Sequence, residues 1–145
     1  MKALIQRVSE ASVRIEGKVF SSIERGIVVL LGVERGDDSA AVDKLLHKVS
    51  RYRIFSDEDG KMNLDVQQVE GSLLVVSQFT LAADTRKGLR PGFSTAAEPK
   101  LAEILYEEFI SKAKNKNISV ATGQFGADMQ VALINDGPVT FSLSS

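Results

Sequence analysis

Two short, uninterrupted apolar runs most constrain what this chain can fold into. Gly26-Ile27-Val28-Val29-Leu30-Leu31-Gly32-Val33 lies between glycines, and Ser72-Leu73-Leu74-Val75-Val76 turns polar at Ser77-Gln78-Phe79. Runs this short suit strands covered on both faces. Around them, residues 2–8 alternate weakly and Ser12-Val13-Arg14-Ile15 alternates cleanly. Glu16-Gly17 before Lys18-Val19-Phe20 suggests a hairpin. Arg51-Tyr52-Arg53-Ile54-Phe55 also alternates like a strand, and 118–122, 129–134 and 139–143 complete the set.

Two segments carry helical periodicity instead. Val42, Leu45, Leu46 and Val49 fall at i, i+3, i+4, i+7 behind a cap at Asp38 or Ser39. Leu101, Ile104, Leu105 and Phe109 form a second stripe, opening near Pro99, a residue suited to a first helical position. Residues 84–94, rich in Arg, Lys, Gly and Pro, read as a loop. Strands outnumber helices without alternating regularly with them. The expectation is an α+β fold: one compact domain over residues 1–145, with a barrel-like antiparallel or mixed sheet and two main helices.

Composition narrows the chemistry. With 145 residues, 43% of them apolar, the chain can build a core without staples, burying ~70% of its unfolded surface. It has no cysteine, hence no disulfide and no thiolate metal site. No run approaches the ~20 apolar residues of a membrane span, and the first residues do not form a signal peptide. The expected location is cytoplasmic, with no membrane partner. A net charge of −1 argues against a uniformly basic surface gripping long nucleic acid, but leaves room for a local patch on a short piece.

The side-chain inventory excludes several mechanisms. The single histidine, His47, sits on the first predicted helix, where a solvent-facing position is expected. No G-x-S-x-G elbow accompanies it, and a Cys-His pair is impossible. One histidine without cysteine does not make a zinc site. Asp57-x-Asp59-Gly60 lacks the spacing of a calcium loop and reads as a turn. No P-loop lysine follows Gly26 or Gly32. No metal and no cofactor is expected. Any hydrolysis here must rely on backbone amides, hydroxyls, amide side chains or groups on the substrate, working by positioning and electrostatics.

Two polar segments interrupt the pattern. Ser77-Gln78-Phe79-Thr80 ends a buried strand. Its polar groups can simply satisfy a strand end, or they can offer N–H donors to an oxyanion in a cleft. Asp136-Gly137-Pro138-Val139 separates two expected strands and reads as a turn, because proline cannot donate to a sheet ladder. Turn chemistry alone favours a trans bond before Pro138. Gly137 would let its backbone approach a ligand closely.

Ser77-Gln78-Phe79-Thr80-Leu81 and Asn135-Asp136-Gly137-Pro138-Val139-Thr140, in this order, resemble the two signatures of D-aminoacyl-tRNA deacylases. The resemblance runs along almost the whole chain, through Gln6-Arg7-Val8, Gly60-Lys61-Met62-Asn63, Ala83 to Gly88, Arg90-Pro91, Leu105-Tyr106 and Thr122 to Met129. Asp65 stands where members often carry serine, and Leu89 and Gly92 where polar residues are commoner. The family hydrolyses the ester between a D-amino acid and the terminal adenosine of tRNA, clears mischarged glycine, and acts as a homodimer with its site at the interface.

The resemblance implies roles for individual residues. Gly137-Pro138 would be a Gly-cis-Pro motif reaching into the partner's site, with Val139 and Thr140 beside it and Arg7 holding it, so that an L side chain is shut out. Main-chain amides of Ser77, Gln78 and Phe79 would face the ester. Thr80 would line the pocket, with the 2′-hydroxyl of the terminal ribose serving the chemistry. Phe125, Gly126 and Met129 would lie near the adenine. Arg86, Lys87 and Arg90 are candidates for acceptor-stem phosphates. The alternative is a non-catalytic module that binds an RNA 3′ end without cleaving it.

Overall fold

A computed structural model describes every residue of the chain except Lys87. One long strand organises it. β1 (Lys2–Ile15) pairs along one edge with β3 (Gly26–Gly32) through residues 2–8 and with β2 (Lys18–Ile23) through residues 11–15. Its other edge pairs with β8 (Gln130–Ser144). β6 (Ser72–Ser77) joins β3 in parallel, and β7 (Ser119–Thr122) joins β6 in parallel. The sheet curls until β2 meets β7, where the Ser21 hydroxyl donates to Thr122 O at 2.6 Å. The result is the expected barrel-like mixed sheet. A small pair, β4 (Phe55–Ser56) with β5 (Met62–Leu64), stands apart. Two helices, α1 (Ser39–Arg51) and α2 (Pro99–Asn115), complete the fold.

The two apolar runs are buried on both faces, and their alternation divides them between two cores. Ile27, Val29, Leu31, Leu73 and Val75 pack with the helix residues Leu45, Leu46, Leu105 and Phe109. Val28, Leu74 and Val76 face the other way, against Val8, Val13 and Ile23. Each such side chain contributes roughly 1.5–3 kcal/mol by leaving water. Gly26 starts the first run for a steric reason: a Cβ there would stand 1.9 Å from Ser72 O.

The helix signals are realised locally. The Asp38 carboxylate accepts from Ala41 N–H at 3.0 Å and caps α1. Pro99 opens α2, and Lys112 and Lys114 sit in its last turn, where the helix dipole favours cations. His47 is exposed on α1, as expected. Among the described residues no helix is long and apolar enough to cross a membrane.

Three local expectations change. Residues 2–8 and 12–15 are not separate strands but one, because β2 and β3 share a single edge of it. Residues 51–55 are mostly not a strand: α1 runs through Arg51, and only Phe55 and Ser56 pair. Their alternation is real but local. Tyr52 packs on Phe141 with ring centroids 5.1 Å apart, Ile54 is buried, and Arg51 and Arg53 are exposed. Residues 129–134 and 139–143 form one strand rather than two joined by a turn. β8 pairs with β1 on both sides of Asp136–Pro138, and the register slips between Gln6 and Val8. The extra residues bulge out of the ladder, which accommodates a proline without an N–H.

Asp65 is a structural residue. Its carboxylate is buried, accepts from Gln67 and Gln68 N–H at 3.0 Å each, and pairs with Arg51 at 3.2 Å. Asp57 plays a similar part in its turn, accepting from the N–H groups of Asp59 and Lys61 and from the side chain of Asn63.

Candidate active site

A cleft of about 480 Å³ opens where β6 ends. Its walls include Ser77, Gln78 and Phe79, then Phe125, Gly126 and Met129, and Pro99 and Ala102 of α2, whereas Thr80, expected to line the pocket, is not among them. The structure therefore brings the strand-end segment together with all three residues expected near an adenine. It does so because Gly123 N–H donates to Val75 O at 3.0 Å, laying the 123–129 segment beside the end of β6.

The donors at the strand end are not equivalent. Gln78 N–H is already committed to Leu31 O at 2.8 Å, so it belongs to the sheet. Phe79 and Thr80 open a 3-10 turn over Phe79–Ala82, and the first N–H groups of such a turn have no acceptor within it. Ser77 is the last residue of β6, beyond the four that pair with β7. The Thr80 hydroxyl accepts from the Gln78 side-chain amide at 2.5 Å and is exposed. His47 lies elsewhere, on α1 near Asp43 and Lys116.

The second segment is a separate construction. The bulge puts Gly137 and Pro138 at the surface, joined by a cis peptide bond. Arg7 reaches under it. Its Nε donates to Asp136 O and its Nη1 to Ile54 O, both at 2.7 Å, with the Asp136 carboxylate 3.7 Å away. Asn135 closes the bulge from within, accepting from Val139 N–H at 2.6 Å and donating to the Thr140 hydroxyl at 2.9 Å. Val139 is buried, and Thr140 also accepts from Gln6. Gly137 has φ +151°, and a Cβ there would meet Val139 Cγ2 at 2.6 Å and Arg7 Nη2 at 3.2 Å.

Within one chain the two segments do not converge. The bulge faces Arg7, which is level with Ile27 and Leu73, whereas Ser77 is level with Leu31 and Ala3. That offset is four residues along the strands, roughly 13 Å, and three strand spacings, ~14 Å, across the sheet.

Sequence reasoning missed three contributors. Asn135 lies inside a quoted signature, but its side-chain staple depends on the bulge. Ile54 supplies only a carbonyl, which no side-chain pattern reveals. Tyr106 is buried beneath the cleft: its hydroxyl donates to Val75 O at 2.9 Å, and its ring packs on Phe125 with centroids 5.7 Å apart. Burial pushes the phenol well above its ordinary pKa, so it remains a donor. Tyr106→Phe keeps the ring and loses the donor. It is expected to cost about 1 kcal/mol of stability, read from the midpoint of urea unfolding. An unchanged midpoint would show that the bond contributes nothing.

Arg86 pairs with Asp84 through two guanidinium nitrogens at 2.7 and 2.9 Å, holding the Asp84 carboxyl well below the usual carboxylate range. Arg90 is exposed, and Lys87 lies outside the described residues. Among the described residues no three His, Asp or Glu side chains are placed to hold a metal ion.

The chain is similar to known proteins over nearly its whole length. The profile of the family described as D-Tyr-tRNA(Tyr) deacylase matches residues 4–144. A D-aminoacyl-tRNA deacylase of Aeromonas hydrophila is 66% identical over 143 residues, covering 99% of each chain. One of Tolumonas auensis is 65% identical over 144 residues, again covering 99% of each. Among solved structures, a protein described as a c-Myc DNA unwinding element binding protein superposes with a TM-score of 0.95 at 40% identity, over 100% of this chain and 99% of its own. A probable eukaryotic D-amino acid tRNA deacylase shares the fold at a TM-score of 0.75 and 16% identity, covering 98% of each chain. With a cleft built at the end of β6 and a profile match spanning both signatures, the chain belongs to the D-Tyr-tRNA(Tyr) deacylase family.

Proposed function

We propose that the protein hydrolyses the ester of D-aminoacyl-tRNA, releasing the free D-amino acid and tRNA, and that it spares L-aminoacyl-tRNA. The observation that carries the reading is the cleft itself. An aromatic and thioether wall of Phe125 and Met129 offers a surface for a nucleobase. In this reading the main-chain N–H groups of Ser77 and Phe79, which line the same cleft, serve the ester attached to that nucleoside. Two such donors can stabilise the developing oxyanion, and each is worth roughly 10²-fold or more in rate.

The chemistry needs little from the side chains. A water oxygen bonds to the ester carbonyl carbon, the bond from that carbon to the ribose oxygen breaks, and the ribose oxygen takes the proton that the water gives up. The adjacent ribose hydroxyl can assist proton movement, so no histidine is required. The Thr80 hydroxyl accepts from the Gln78 side-chain amide and Thr80 does not line the cleft, so no nucleophilic role is assigned to it. Thr80→Ala is therefore expected to keep kcat within about tenfold of the parent in a D-tyrosyl-tRNA deacylation assay. A loss beyond ~10³-fold, with the circular dichroism spectrum unchanged, would instead make Thr80 a nucleophile.

Chiral selection falls to backbone. Gly137 and Pro138 present main-chain atoms at the surface, locked by Arg7 and Asn135. Because they lie far from Ser77 within one chain, the reading requires a homodimer in which each copy's bulge enters the other's cleft. Such a gate can admit an amino acid without an L side chain, glycine included. Residues 1–145 act as one domain in this reading, in the cytoplasm where charged tRNA is found.

A further inference from the structure

The cleft ends at Phe79, but the aromatic surface does not. Phe93 lies outside the cleft lining and packs on Phe79, with ring centroids 5.0 Å apart and planes inclined by 46°. Both rings face solvent, Phe79 at 57% exposure and Phe93 at 41%. Phe20 is also exposed, but Phe79 and Phe93 differ from it in packing on one another, which makes a continuous aromatic surface beside the cleft.

Phe93 is held in place from both sides. Before it, Asp84 N–H donates to Gly92 O at 2.7 Å and Gly92 N–H returns to Asp84 O at 3.2 Å. After it, Ala96 N–H donates to Phe93 O at 3.1 Å, Ala97 N–H donates to Val33 O at 3.1 Å, and the Thr95 hydroxyl donates to Ala82 O. A ring fixed by backbone bonds binds without first being ordered.

We infer that Phe93, together with the outer part of Phe79, is a stacking site for the nucleotide that precedes the terminal adenosine. The inference rests on the reading that Phe125 and Met129 take the terminal adenine. Continuity identifies the occupant. Phe79 belongs both to the cleft wall and to the exposed pair, so an RNA strand leaving the cleft over this lip meets Phe93 next. The lip suits a single strand with an unstacked base, because every base has a face that stacks on a phenyl ring and such contacts are sequence-tolerant. The Arg86 guanidinium in the same loop is already engaged by Asp84.

The test compares two non-hydrolysable ligands: adenosine bearing a D-tyrosyl amide at its 3′ position, and the same compound extended at its 5′ side by a cytidylyl residue. The parent protein is expected to bind the dinucleotide roughly 5- to 150-fold more tightly, the range of one stacked base. Phe93→Ala should lose that increment while its affinity for the nucleoside ligand stays the same, and Phe93→Tyr should retain it. Equal affinity of the parent for both ligands would overturn the inference. So would equal weakening of both by Phe93→Ala, which would make Phe93 a brace for Phe79. A change in self-association of Phe93→Ala, measured by sedimentation, would assign the pair to a second copy of the chain instead. Failure of the nucleoside ligand itself to bind the parent would remove the adenine reading, and this inference with it.

Discussion

Gly137→Ala is expected to lower kcat/KM for D-tyrosyl-tRNA by about 10²-fold, or ~2.7 kcal/mol of transition-state stabilisation, while the chain remains folded. The added methyl has nowhere to go. At φ +151° an L side chain is strained, and the Cβ would overlap Val139 Cγ2 at 2.6 Å and Val139 N at 2.9 Å. The Arg7 guanidinium, 3.2 Å from that Cβ, would also have to give. Arg7 is the clamp that fixes the bulge through Asp136 O and Ile54 O. Relief of the overlap therefore moves the very atoms proposed to face the amino acid. Gly137 itself is exposed, but Val139 belongs to one of the cores, so the unfolding midpoint should also fall, and the activities are compared at a temperature where the variant stays folded. Activity within threefold of the parent would show that the bulge does not meet the substrate.

How far the sequence anticipated this arrangement differs from element to element. Both helices were legible because their apolar spacing and caps act locally: Asp38 caps α1 and Pro99 opens α2. The runs at 26–33 and 72–77 were legible as doubly covered strands because nothing polar interrupts them. Segment joins were not. Whether 129–134 and 139–143 are two strands or one bulged strand depends on a partner that runs past both, and β1 is more than 100 residues away in sequence, as the Arg7 to Asp136 bond shows with a separation of 129. Alternation at 51–55 reported burial correctly but could not reveal that no neighbouring strand was available beyond Phe55–Ser56.

The candidate site divides in the same way. Phe125, Gly126 and Met129 were named from resemblance, and the parallel pairing of β6 with β7 explains how they come to line one cleft with Ser77. Arg7 was named too, and its two carbonyl acceptors give the clamp a geometry. The commitment of Gln78 N–H to Leu31 was invisible, since a ladder bond depends on register and not on residue type. Tyr106 and Phe93 left no decisive signal, because an aromatic residue on a helix stripe or in a loop looks the same whether it fills a core, braces a wall or waits for a ligand.

The account's central claim is that a backbone gate at Gly137-Pro138 separates D from L substrates at a cleft that does its chemistry with amides. A screen of this kind discriminates by exclusion, so its expected size is large: a preference for D-tyrosyl-tRNA of at least about 10³-fold, or ~4 kcal/mol. A site that merely bound the terminal adenosine would hydrolyse both esters alike, since the nucleoside is common to them. The most direct measurement is the rate of deacylation of D-tyrosyl-tRNA and of L-tyrosyl-tRNA, side by side, at equal enzyme and substrate concentration. Rapid loss of the D ester with the L ester surviving at its spontaneous rate is the predicted result. Equal rates on the two esters, or binding of both with neither cleaved, would contradict the account.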